Sequence, residues 1–303
     1  MATANYLPDV LETTEAERLA TGFVFTEGPT WHPDGFLYFV DIRRNQLFRM
    51  VPGEKPVLVR ETQGGNGTTF DIDGRLINCE GDARRLTRQE HDGSVTVLVD
   101  RFKGRRFAKP NDAICHSNGC ILFTDPDKRV PYHKREVPGP EGEAELWDGA
   151  GVYRLAPDGE VSTLALCEYP NGLALSPDER TLYVANTRSS RYIHAIKLDA
   201  DGRAVGRSIF CDMNEDLGPG IPDGLKVDQQ GRVYCTGPGG IWVIAPDGRR
   251  VGIIRWPEQA VNFCFGGPDL RTMFCTAYTS VYSLRVKVPG NPHPWYRKRG
   301  LVG

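Results

Sequence analysis

Short apolar stretches alternate with polar corners along this chain, and one spacing of the two recurs six times. The apolar stretches are Leu37-Tyr-Phe-Val, Leu76-Ile-Asn-Cys, Ile121-Leu-Phe-Thr, Leu182-Tyr-Val-Ala, Val233-Tyr-Cys-Thr and Met273-Phe-Cys-Thr. Aromatic and branched residues in runs of this length predict β-strands. A corner residue precedes each run: Asp34, Asp73, Asn118, Asp178, Gln230 or Asp269, four of them followed by Gly and the other two, Asp178 and Asp269, preceded by Pro. These are hairpin turn signals. Seven residues before each corner stands another polar residue, in the order Glu27, Asn66, Asn111, Asn171, Asp223 and Asn262, at intervals of 39, 45, 60, 52 and 39 residues. Further strand-like runs complete most units, among them Gln46-Leu-Phe-Arg, Gly151-Val-Tyr-Arg-Leu, Tyr192-Ile-His-Ala-Ile and Ile241-Trp-Val-Ile.

Six units of about four strands predict an all-β fold, a six-bladed β-propeller forming one domain over 1–303 around a central channel. The last unit lacks a clear fourth strand, whereas residues 16–22 form a spare strand-like piece ahead of the first. The N-terminal piece is therefore expected to close the last blade, which removes an exposed edge.

Inner strands of a propeller run along its axis, so their first residues meet at one end of the channel. That ring reads Glu27, Asn66, Asn111, Asn171, Asp223 and Asn262, with oxygen donors and no Lys, Arg, His or Cys. Such a set suits a hard cation such as Ca²⁺ or Mg²⁺. Two carboxylates would balance a divalent charge and would otherwise repel each other. The alternative for any single Asn or Asp is local turn chemistry, but Glu is a poor turn residue, and Glu27 stands in the same column. Gly28, Gly67, Gly172 and Gly224 are expected to allow close backbone packing at the axis. A second column, Asp41, Glu80, Asp125, Asn186, Gly237 and Ala277, ends the second strands on the same face. Its polar members either touch substrate or solvate loop ends. The longest insertion, 126–150, attaches on that face as a candidate lid and carries His133.

Composition narrows the function classes. The 303 residues are 40% hydrophobic and 25% charged with a formal net charge of -2, which provides no basic field for nucleic acid or anionic membranes. The start Met1-Ala-Thr-Ala-Asn-Tyr does not read as a secretory leader, and no run is long enough to span a bilayer, so a cytoplasmic protein is expected. The eight cysteines form no CxxC pair and are expected to be reduced core thiols. No GxSxG elbow, HExxH helix or glycine-rich phosphate loop occurs.

Several segments together carry a resemblance: Phe25-Thr-Glu-Gly-Pro-Thr-Trp-His-Pro, Lys109-Pro-Asn-Asp, Tyr169-Pro-Asn-Gly-Leu-Ala-Leu-Ser-Pro-Asp, Ile221-Pro-Asp-Gly-Leu-Lys-Val-Asp and Phe265-Gly-Gly-Pro-Asp-Leu. In this order, from Gly22 to Val286, they resemble the senescence marker protein/gluconolactonase family of six-bladed propellers. Asn66-Gly-Thr and the run Asn78 to Arg85 resemble its bacterial gluconolactonase branch, in which a His often stands at the position of Gly81. The resemblance implies Glu27, Asn171 and Asp223 as metal ligands, with Asn111 at the metal or on the substrate. It also implies hydrolysis of sugar lactones or related esters with one divalent cation, Ca²⁺ first and Mg²⁺, Mn²⁺, Zn²⁺ or Fe²⁺ as alternatives. Many sugar-lactone members carry Arg where this chain has Lys109, and Lys does not reproduce bidentate Arg contacts. Water is then the expected nucleophile, with Asp223 as general base or, alternatively, as a direct nucleophile. Lys109, Glu80, Asp125 and His133 join Asn111 as candidate substrate contacts. Competing readings on the same fold are a phosphotriester hydrolase and a calcium-binding propeller without catalysis.

Overall fold

Six antiparallel sheets of four strands each account for nearly all regular structure. In the computed structural model, which describes residues 5–126, 149–188 and 190–301, the sheets stand as blades around an axis. The strands nearest the axis are Thr26–His32, Gly65–Phe70, Ala113–Cys115, Pro170–Leu175, Leu225–Val227 and Asn262–Gly266. In the last blade the order from the axis outward is Asn262–Gly266, Thr272–Ala277, Ser280–Arg285 and then Glu17–Thr21 from the N-terminal region. Glu17 lies opposite Ser283 and Thr21 opposite Ser280. His133 and most of the 126–150 insertion lie outside the described residues.

The predicted corners are turns in which the residue after the corner adopts a left-handed backbone. Gly35, Gly74, Gly119 and Gly231 do so at φ 96°, 83°, 86° and 78°, where glycine carries no Cβ penalty. In the two blades without that glycine, Glu179 and Leu270 take the conformation at φ 58° and 54°. Each is held by a local partner: Glu179 accepts from Ser117 N at 3.1 Å, and Leu270 is buried in the core.

Apolar faces of neighbouring blades pack against each other, as where Leu37, Phe39, Leu47 and Met50 meet Phe70 and Leu76. All eight cysteines are buried and free, and burial pushes the Cys79, Cys235 and Cys275 thiols well above their ordinary range. They are core residues.

Two elements escape the repeat. A small hairpin, Arg101–Phe102 against Arg105–Arg106, is inserted between the second and third blades. A five-residue helix, Pro294–Lys298, follows the last blade, with Pro at its start and His293 Nδ1 accepting from Trp295 N at 3.1 Å. It is too short to leave a helical period in the sequence. Trp295 and Tyr296 are buried against the first blade, and the Tyr296 hydroxyl donates to the Trp31 carbonyl. This segment floors the channel: a cavity of ≈ 110 Å³ is bounded by Pro292, His293 and Tyr296 at one end and by inner-strand residues around its sides. It is the far end from the ring of Glu27.

Candidate active site

The ring residues stand where regular pairing of the inner strand is broken. In the first, second and fourth blades a β-bulge falls at Glu27, Asn66 and Asn171. In the third and fifth blades pairing begins only at Ala113 and Leu225, two residues beyond Asn111 and Asp223. Bulges re-aim side chains, and here they free the ring positions from strict in-and-out alternation. Asn262 is the regular exception, opposite Thr276.

Glycines set how closely the blades approach. A Cβ on Gly172 would lie 2.1 Å from the Asp223 carbonyl oxygen, and one on Gly28 2.1 Å from that of Asn66. Gly67 and Gly224 stand in the same relation to Asp112 and Asn262. Each of the four glycines therefore lets the next blade bring its polar residue to the axis. Gly172 N also donates to the Asp223 carbonyl at 3.1 Å.

Within the ring, Asp223 lies near enough to Glu27 for the Glu27 charge to raise it. Glu27 is 3% exposed, and its Oε2 accepts from Gly28 N and, at 2.8 Å, from Asn262 Nδ2. Asn171 hydrogen-bonds Asp223 and donates from Nδ2 to Thr187 Oγ1 at 3.0 Å, while Thr187 donates to the Pro222 carbonyl at 2.7 Å. The structure thus joins Glu27, Asn171 and Asp223. Asn111 is held by its backbone, with N donating to Thr124 O at 2.9 Å and O accepting from Gly67 N at 2.8 Å. Asn262 braces Glu27.

Sequence reasoning missed two charged residues of the channel, Asp112 and Lys226. Asp112 is buried; Oδ1 accepts from Ala113 N at 2.9 Å and Oδ2 has no hydrogen-bond partner. Lys226 Nζ lies 4.0 Å from that Oδ2 and 3.5 Å from Asn262 Oδ1. A usable signal existed, because a lysine inside a three-residue inner strand has nowhere to point except the channel or a blade interface. Burial, then the charge of Asp112, pushes the Glu27 carboxyl up to about 7 against the opposing Gly28 and Asn262 hydrogen bonds and Lys226. Burial first, then Glu27 and Asp112, raises Asp223 well above the carboxylate range. Burial also raises Asp112. Among the described residues, two buried acids, Glu27 and Asp112, and the half-buried Asp223 thus share one ammonium group.

The polar members of the second column have internal partners. Asp41 is 0% exposed and accepts from Val24 N at 2.9 Å and Phe25 N at 3.2 Å. Asp125 is 1% exposed and accepts from Ala108 N at 2.9 Å and Lys109 N at 2.6 Å. Asn186 Oδ1 accepts from Tyr169 N at 2.8 Å. In each blade the amide so held is two residues before the ring member. Glu80, 1% exposed, instead receives Arg60 at 2.8 Å and Arg85 at 2.8 and 2.9 Å. The oxygens of both candidate substrate contacts, Glu80 and Asp125, are therefore engaged internally. Lys109 reaches the mouth, its Nζ 3.9 Å from Asp82 Oδ1, and a Cβ at Gly81 would lie 2.7 Å from its Cγ.

The arrangement suits a cation by its donor chemistry: two carboxyls with raised proton affinity, Glu27 and Asp223, the Asn171 amide beside Asp223, and the buried Asp112 with Lys226 as its ion-pair partner. Among the described residues no three His, Cys, Asp or Glu side chains form a ligand cluster, so the amides of Asn171 and Asn111 would have to contribute oxygen. The family model described as SMP-30/Gluconolactonase/LRE-like region matches residues 25–279.

The chain belongs to the SMP-30/gluconolactonase/LRE-like family.

Within this family it is 33% identical to a gluconolactonase of Zymomonas mobilis, over 91% of this chain and 83% of that protein. A solved structure described as a gluconolactonase from Xanthomonas campestris superimposes with a TM-score of 0.81 at 30% identity, covering 94% of each chain. Regucalcin from Agrobacterium tumefaciens, described as a calcium-binding protein, shares the fold with a TM-score of 0.75 at 21% identity, over 93% of this chain and 97% of that one.

Proposed function

We propose that the chain is a metal-dependent lactonase that opens sugar lactones of the gluconolactone class. One observation supports this reading: the Glu27 charge bears on Asp223, which Asn171 hydrogen-bonds, and both acids have raised proton affinity, in a chain similar over most of its length to gluconolactonases. Glu27, Asn171 and Asp223 would hold one divalent cation, with Asn111 completing the set or holding the substrate. A cation there supplies polarisation of the lactone carbonyl and offsets the negative charge that attack builds on its oxygen.

The chain's own residues divide the remaining work. Glu27, deeply buried and fixed by Gly28 and Asn262, is a holding group. Asp223 is half-buried and stands closer to incoming water, so it is the group to accept the proton as water attacks the carbonyl carbon. That proton then passes to the ring oxygen that leaves as an alcohol. Asp125 places Lys109 and Asn111 by fixing the loop ahead of them, and Glu80 buttresses the neighbouring blade; both act through other residues.

The test is acid release from glucono-1,5-lactone by protein stripped with a chelator and reloaded with single divalent ions. Activity should return with Ca²⁺ or another divalent ion, and Asp223→Ala should lower kcat/KM by roughly 10³-fold. No turnover across a panel of lactones and ions would overturn the proposal.

A further inference from the structure

The residue that follows each second strand opens the loop at the end of the blade that carries the ring. In the fourth blade this is Thr187, which touches Asn171 directly. By the repeat, Tyr278 occupies the same place in the sixth blade, after Ala277 at the end of Thr272–Ala277. Its carbonyl accepts from Thr26 N at 2.7 Å, which sets it beside the residue that precedes Glu27. Tyr278 is also the first residue of a two-residue turn between Ala277 and Ser280, and its φ is 39°. A bulky aromatic residue is costly in that region, where glycine or asparagine is relaxed.

The tyrosine gains little packing in return. It remains 40% exposed, and its ring meets Phe25 edge-on at 5.2 Å. Phe25 itself lies two residues before Glu27, on the loop that Asp41 holds. Across the mouth the corresponding loop positions are Lys109 and Tyr169, the latter covered by the Arg188 guanidinium at 4.5 Å. Among the described residues the mouth is aromatic on one side and cationic on the other.

We propose that Tyr278, backed by Phe25, is a specificity-determining shelf against which the C–H face of the lactone ring lies while its carbonyl points down to Glu27 and Asp223. This rests on the lactonase reading. A flat aromatic surface accepts a sugar ring whose hydroxyls are all equatorial and disfavours one with an axial hydroxyl on the contacting face, because that hydroxyl loses water without gaining a partner. With the face that carries the axial C2 and C4 hydrogens laid on the shelf, the gluco configuration is selected over its C4 epimer, whose axial hydroxyl stands on that face.

Two unreactive ring analogues test it: the 1,5-lactams of gluconic and galactonic acid, titrated calorimetrically into divalent-loaded protein. The parent chain should bind the gluco lactam roughly five- to tenfold more tightly than the galacto lactam. Tyr278→Gly should abolish that preference, and Tyr278→Phe should keep it. Because glycine is relaxed at this φ, Tyr278→Gly should melt within about 2 °C of the parent or above it, and Phe25→Ala should weaken the preference independently. Lactone turnover by the parent with an unchanged lactam preference in Tyr278→Gly overturns the shelf alone. Neither turnover nor lactam binding by the parent overturns the lactonase reading and the shelf with it.

Discussion

Asp125 shows what a single buried carboxylate does here. Its two oxygens receive the amides of Ala108 and Lys109, so replacing it by alanine strands two buried donors two residues from Asn111. Asp125→Ala should cost about 2–4 kcal/mol of unfolding free energy, measured by urea titration, and should raise KM more than it lowers kcat. An unchanged unfolding midpoint would show that the loop does not depend on it. Reading the sequence located Asp41, Glu80, Asp125 and Asn186 as a polar column but not their direction. The partners of Asp41, Asp125 and Asn186 lie 16 or 17 residues back along the chain and those of Glu80 lie 20 back and five ahead, and no periodicity reveals which way a strand-end side chain turns. Lys226 was missed for a different reason: its motif, Asp223-Gly-Leu-Lys, drew attention to its first residue.

The strand that matters most is the innermost, and its usefulness comes from irregularity. A regular inner strand would alternate its side chains between blade faces, whereas the bulges at Glu27, Asn66 and Asn171 release them toward the axis. The repeat made the elements legible because turn residue, interval and apolar run agreed six times over; the bulges left no mark except glycine after the polar residue. Gly172→Ala tests the element directly. With a Cβ 2.1 Å from the Asp223 carbonyl oxygen, the fourth and fifth blades must separate, and stability should fall by about 2 kcal/mol or more. Divalent affinity, measured by calorimetry, should fall with it. Gly93→Ala, at a corner with nothing within 4 Å of its Cβ but at φ 85°, is the control for backbone strain without blade contact.

At the scale of the whole molecule, the channel gathers more negative charge than it neutralises. A carboxyl whose folded-state value stands above its unfolded value stabilises the fold in acid and loses that contribution as pH rises through the folded-state value. For Glu27 the window runs from about 4.5 to about 7, a difference on the order of 3 kcal/mol. In chelator the thermal midpoint should fall between pH 5 and pH 8; in saturating Ca²⁺ the fall should shrink or vanish, since the ion takes over from the proton. Matching pH profiles with and without divalent ions would contradict a shared site.

Ring closure also imposes an order in time. Glu27 and the Asn262 that steadies it are 235 residues apart in the chain, and the blade carrying Asn262 is completed by Glu17–Thr21, a strand that precedes all the inner strands in the sequence. An interrupted polypeptide therefore holds no half-formed version of the chemistry, only scattered acids in unclosed blades. The pairing of Glu27 with Asn262 is complete only once the sheet that carries Asn262 has formed, and Glu17–Thr21 is the strand that completes that sheet.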